Sequence, residues 1–226
     1  MGLLNSVRCS YGALRALSGL TKLVNPFCRR FDRAENCAAR TSAALPQGSI
    51  NGQGLAPYAA LPYGAWNVGN NGCEVIAVYN ALLALRRPRP LAEIAAALEK
   101  DGLLFNGFGG TNVSAVERYL RRCGVDVTVL RRAERAQYDE AVQSAGCAVL
   151  AYWTGPTLRR PDGEWNMLHT VSVQRCGGGV EVCNVVPDRP APYRAASVTE
   201  FLRRVSGEPV CLFALKAVDK RDGIAY

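Results

Sequence analysis

The chain has 226 residues, of which 49% are apolar, and a formal net charge of +8. That length supports one sizeable core and leaves little room for a second full domain. A single histidine, no CxxC pair and nine irregularly spaced cysteines argue against a zinc site. No apolar run has the length of a bilayer span.

The positive charge is concentrated at the start. Arg8, Arg15, Lys22, Arg29, Arg30, Arg33 and Arg40 face only Asp32 and Glu35 within the first 40 residues. Residues 1–24 carry Leu3, Leu4, Val7, Leu14, Leu17, Leu20 and Leu23 at spacings that predict an amphipathic helix, ended near Pro26. Such a basic arm suits weak contact with an anionic membrane surface, or is simply a solvated helix face. Arg8 and Arg15 interrupt the apolar stretch, so it makes a poor signal peptide and a cytoplasmic location is expected. Met1-Gly2-Leu3-Leu4-Asn5-Ser6 fits the short myristoylation pattern. No nucleic-acid-binding motif is present, and nucleic acid is not an expected partner.

Residues 1–45 therefore read as a basic arm, separable from the rest of the chain. Residues 46–60, within a Gly-, Pro- and Asn-rich stretch from 41 to 72, read as an extended surface connector. A main domain over 61–218 and a short tail over 219–226 complete the division.

From Cys73 the pattern changes. Glu74 to Leu85 is apolar nearly all round and predicts a buried helix, ended by Arg86-Arg87-Pro88-Arg89-Pro90. Leu91 to Lys100 predicts an amphipathic helix, and Thr111 or Asn112 caps a third that runs to Arg122 and stops at Gly124. Strands are predicted over 125–130, 148–153, 168–173, 180–186 and 210–215, with helices over 138–145 and 198–205. Helices first and strands later predict an α+β fold, N-terminal helices packed on a C-terminal antiparallel sheet. The cysteines within apolar runs, such as Cys147, read as small buried hydrophobes in a reducing compartment.

Three residues carry the chemistry. Cys73 follows the Asn70-Asn71-Gly72 turn and opens the buried helix, where free N–H groups and the helix dipole favour a thiolate. His169, the only histidine, begins a predicted strand and is the one imidazole able to act as base. Asn184 lies fifteen residues later, on a strand that a hairpin at Gly177-Gly178-Gly179 brings alongside. Its side chain is expected to orient the ring; Asp188, between two prolines, is the rival acceptor. Each residue also has an ordinary structural role: a packed cysteine, a core histidine, a turn asparagine. The coincidence of all three in this order favours catalysis.

This order resembles the papain-like cysteine peptidase superfamily, and most of all its bacterial C39-like branch, over about residues 60–215. There a Cys opens a buried helix after a Gly/Asn-rich loop, a helix begins at Gly-Thr (here Gly110-Thr111), and a His strand precedes an Asn or Asp. The resemblance implies a papain-like fold, a Cys73-His169-Asn184 triad, a peptide or protein substrate and no cofactor or metal. It also implies an oxyanion amide six residues before the Cys, where the family has Gln and this chain has the shorter Asn67. Asn70, Asn71 or backbone N–H groups are alternatives. Glu74 stands where the branch often carries Gly, and its charge opposes a neighbouring thiolate unless it points to solvent. The alternatives to a hydrolase are a catalytically inactive peptide-binding module on the same fold, or a membrane-surface protein acting through its basic helix.

Overall fold

The computed structural model describes residues 11–43, 48–155 and 167–217. The first ten residues, with their myristoylation pattern, and the 219–226 tail lie outside the described residues. In chain order the helices are α1 (Tyr11–Val24), α2 (Arg33–Ser42), α3 (Val68–Asn71), α4 (Cys73–Ala84), α5 (Leu91–Asp101), α6 (Val113–Arg122), α7 (Tyr138–Ala145) and α8 (Val198–Arg204). The strands are β1 (Pro62–Tyr63), β2 (Trp66–Asn67), β3 (Val125–Arg131), β4 (Cys147–Trp153), β5 (Leu168–Cys176), β6 (Gly179–Cys183), β7 (Tyr193–Ala195) and β8 (Glu208–Ala217).

β1 and β2 form a small hairpin. The other six strands make one antiparallel sheet in the order β3-β8-β4-β5-β6-β7. The fold is α+β, as the succession of periods predicts. Both faces of the sheet are covered. Cys147, Val149 and Ala151 of β4 pack with Val75, Ile76 and Val78 of α4, while Ala148, Leu150 and Tyr152 face Tyr138 and Val142 of α7 and Phe201 of α8. Alternate residues pointing into two cores explain why β4 is an unbroken apolar run. Among the described residues no helix is long and apolar enough to cross a membrane.

The arm is not a separate piece, and here the expectation is corrected. Asp32 caps α2 by accepting from the Ala34 and Glu35 N–H groups. The Arg40 guanidinium then grips both Glu99 carboxylate oxygens of α5, at 2.8 and 2.9 Å, and donates to the Pro62 carbonyl. Asn36 donates to Glu99 and to the Gly64 carbonyl, and the Gly64 N–H donates back to Glu99. Tyr11 of α1 packs edge-on against Phe213 and donates to Glu117. The sequence pattern missed α2 because its buried residues are Asn36 and Arg40, so it has no apolar stripe.

The surface connector is also corrected. Ile50, Gly52, Gln53, Tyr58 and Leu61 are buried. The Ile50 N–H donates to Asn80 Oδ1 in α4, and Asn80 Nδ2 donates back to the Ile50 carbonyl. A chain rich in Gly and Pro runs inside here because its backbone groups find polar partners there.

Candidate active site

Asn67 accepts from the Asn70 N–H at 2.9 Å and so caps α3, the short turn leading to Cys73. Gly72 joins α3 to α4. A β-carbon there would sit 2.5 Å from the Val68 side chain and 2.8 Å from its carbonyl, so glycine is required by close approach. Asn71 Nδ2 is buried with no hydrogen-bond partner among the described residues, and a side chain at Gly107 would meet it.

Cys73 opens α4, as the sequence predicts, but its thiol faces inward and is buried. It donates to Glu74 Oε2 at 3.0 Å and accepts from the Thr170 backbone N–H. Burial, followed by the charge of Glu74, pushes the Cys73 thiol well above its ordinary value. Desolvation and the neighbouring carboxylate therefore both work against the helix-terminal thiolate that the helix dipole favours.

Glu74 is buried rather than turned to solvent. Burial raises its carboxyl from 4.5 to about 7, offset in part by hydrogen bonds from Cys73, Thr170 and Thr111. The Thr170 hydroxyl lies 3.4 Å from Oε1. Thr111 in turn shares a 2.7 Å hydrogen bond with the Tyr63 hydroxyl. A buried polar chain therefore runs Cys73, Glu74, Thr111, Tyr63.

His169 precedes Thr170 on β5, so one strand segment carries both the imidazole and the N–H that meets Cys73. Its Nε2 lies 2.7 Å from the backbone carbonyl of Asn184. A carbonyl only accepts, so Nε2 carries the proton and Nδ1 keeps a free lone pair, the form a general base needs. Tyr152, opposite His169 in the β4–β5 register, packs edge-on to the ring at 5.9 Å. Burial and the neighbouring Cys73 raise the Tyr152 hydroxyl's pKa. Burial also lowers the His169 pKa below the ordinary imidazole value, and the Asn184 carbonyl offsets part of this.

Asn184 therefore reaches His169 through its main chain, where its side chain was expected to orient the ring. β5 and β6 pair from Cys176↔Gly179 to Ser172↔Cys183. Asn184 then takes a left-handed backbone, φ 65°, and is the first residue beyond the ladder. Its side chain is claimed elsewhere: Oδ1 accepts from the Gln53 N–H at 2.9 Å and Nδ2 donates to Gln53 Oε1 at 2.8 Å. Its own N–H donates to Asn51 Oδ1. Asp188 is exposed in the turn beyond. Gln53, Asn51, Thr170 and Tyr152 went unseen in the sequence. The amide-bearing Asn51-Gly52-Gln53 within a Gly- and Ala-rich stretch was the only local sign of the first two.

No protein-family model matches the chain, and no curated protein matches it. Among solved structures it is similar to a double glycine motif protease from an AMS/PCAT transporter, crystallised in complex with the leader peptide. The identity is 15% and the TM-score 0.41, over 65% of this chain and 84% of that one. At that level of likeness the site rests on its own geometry.

Proposed function

We propose that the chain is a thiol-dependent hydrolase of papain-like design, a cysteine peptidase that attacks an amide carbonyl of a peptide or protein substrate. The observation that carries this reading is the junction at His169-Thr170: the strand that meets the Cys73 sulfur also holds the only imidazole, with Nε2 anchored and Nδ1 free.

In this reading Cys73 turns from Glu74 toward His169 on substrate binding. Nδ1 takes the thiol proton as sulfur bonds to the carbonyl carbon. The oxyanion is held by the first-turn N–H groups of α4, with the Asn67 amide as further donor. Collapse breaks the C–N bond, and the departing amine takes the proton from the imidazolium. Water then attacks the thioester, passes its proton to Nδ1, and releases the acid and the thiol. Glu74 opposes ionisation of the thiol at rest, because burial and a neighbouring negative charge disfavour the thiolate, the reactive form.

A second reading has a specific observation in its favour. The Cys73–Glu74 hydrogen bond and the raised thiol pKa suit a peptide-binding module without catalysis. A peptide chloromethyl ketone ending in Gly-Gly separates the two, read by intact mass and peptide mapping. The hydrolase forms one adduct at Cys73, and His169→Ala slows it by about an order of magnitude or more near neutral pH. Peptide binding without any Cys73 adduct, from about pH 6 to pH 9, establishes the binding module instead. Equal adduct rates with and without His169 make that residue structural.

A further inference from the structure

The strap from Ile50 to Gly54 meets the helix that Cys73 opens, the turn that precedes it and the residue that anchors His169. At one end Ile50 is held by two hydrogen bonds to Asn80, on the nucleophile's own helix. Next, Asn51 accepts from the Asn184 N–H, and Gly54 donates to the Pro187 carbonyl at 2.7 Å. The strap lies so close to the chain beyond Asn184 that a β-carbon on Gly52 would come within 2.9 Å of the Arg189 carbonyl.

Gln53 is the centre of this contact. It is only 5% exposed. Its backbone N–H and side-chain Oε1 clasp both polar ends of the Asn184 amide, and its Nε2 donates to the Gly69 carbonyl at 2.9 Å. Gly69 belongs to α3, the turn that delivers Cys73. One glutamine thus ties the loop ahead of the nucleophile to the residue that anchors the base. The fit needs an uncharged amide: Asn184 Nδ2 requires an acceptor and the Gly69 carbonyl a donor, and a carboxylate supplies only the first.

We propose that Gln53 is a positioning residue, which by clasping the Asn184 side chain aims the Asn184 carbonyl at His169 Nε2 and so selects the tautomer with Nδ1 free. The inference rests on the thiol-hydrolase reading for its catalytic meaning, but its structural effect is measurable without it. Asn184 has a left-handed backbone whose carbonyl direction depends on how the residue is held. With the clasp gone, the carbonyl swings and the ring loses the acceptor that fixes its proton.

His169 is the only histidine, so the ring ¹⁵N spectrum of the labelled full-length chain reports one residue. Wild type should show the Nε2–H tautomer. Gln53→Ala, and Gln53→Met, which refills the volume without polar atoms, should show mixed tautomers. Both should also lose roughly tenfold in Cys73 adduct rate with the peptide chloromethyl ketone, while circular dichroism still reports a folded chain. An unchanged Nε2–H signal and adduct rate in either folded variant overturns the proposal. Unfolding of both variants overturns it too, by assigning Gln53 to stability alone. If wild-type Cys73 forms no adduct, the hydrolase reading fails, while the tautomer shift still decides whether Gln53 governs His169.

Discussion

Replacing Glu74 with Gln is the most direct test of the buried carboxyl beside Cys73. The substitution keeps the shape and leaves an acceptor for the thiol, but removes the titration. In the unfolded chain this carboxyl ionises near 4.5, and in the fold near 7, because burial disfavours the charge. Between those values the folded wild type holds a proton that the unfolded chain has released, so its stability falls as pH rises. The contribution is complete below the unfolded value and is lost as pH passes the folded one. At about 1.4 kcal/mol per pH unit the loss amounts to about 3 kcal/mol, or roughly 6–12 °C in Tm for a chain of this size. The Gln variant does not titrate, so paired thermal melts from about pH 4 to pH 8 isolate the effect, with His169 and the surface groups cancelling. Wild type should lose stability relative to the variant across that window. A constant difference, or wild type gaining as pH rises, would refute a neutral buried Glu74 and point to a stably ionised carboxylate.

The same variant should alkylate faster at Cys73, by about tenfold or more with iodoacetamide near pH 8, because the charge opposing the thiolate is gone; peptide mapping that finds no increase contradicts the Cys73–Glu74 pairing. Asn184→Ala should cost about 1–3 kcal/mol in urea unfolding, since it strands the Gln53 side chain and puts at positive φ a residue that tolerates the left-handed region less well than Asn. Asp188→Ala, at an exposed turn position, should change both stability and Cys73 reactivity little. Arg40→Ala should cost about 3–5 kcal/mol by leaving Glu99 buried and unpaired. If the arm were separable, that substitution would instead leave the unfolding of the main domain unmoved.

Local signals were legible wherever neighbouring residues decide. The all-round apolar stretch after Gly72 predicts α4 with Cys73 at its head, because helix burial follows from periodicity. Asn112 before Val113 predicts the start of α6, and its side chain does accept from the Ser114 N–H. The glycines at 177–179 place the β5–β6 hairpin, where Gly178 adopts φ 94°. β4 to β7 then lie side by side in chain order, whereas β8, the last strand, pairs between β3 and β4, a placement that no short connection predicts.

Orientation and long-range partners were not legible. A helix apolar on every side has no unique inward face, so nothing in Cys73-Glu74 tells which of the two side chains meets solvent; packing against β5 buries both. Whether Asn184 offers its amide or its carbonyl depends on the sign of one φ at the end of a ladder, which strand propensity does not report. Gln53 and Asn184 are 131 residues apart and carry no pattern that links them. Arg40 inverts the usual rule, since a charge reads as surface until its buried partner Glu99 is found on another helix. The sequence by itself determined α1, α4 to α8, the strands β3 to β6 and β8, and the identity of the nucleophile and base candidates, all set by neighbours along the chain. Only tertiary structure decided the proton positions among Cys73, Glu74 and His169, because desolvation and hydrogen-bond partners exist only once distant segments close around them.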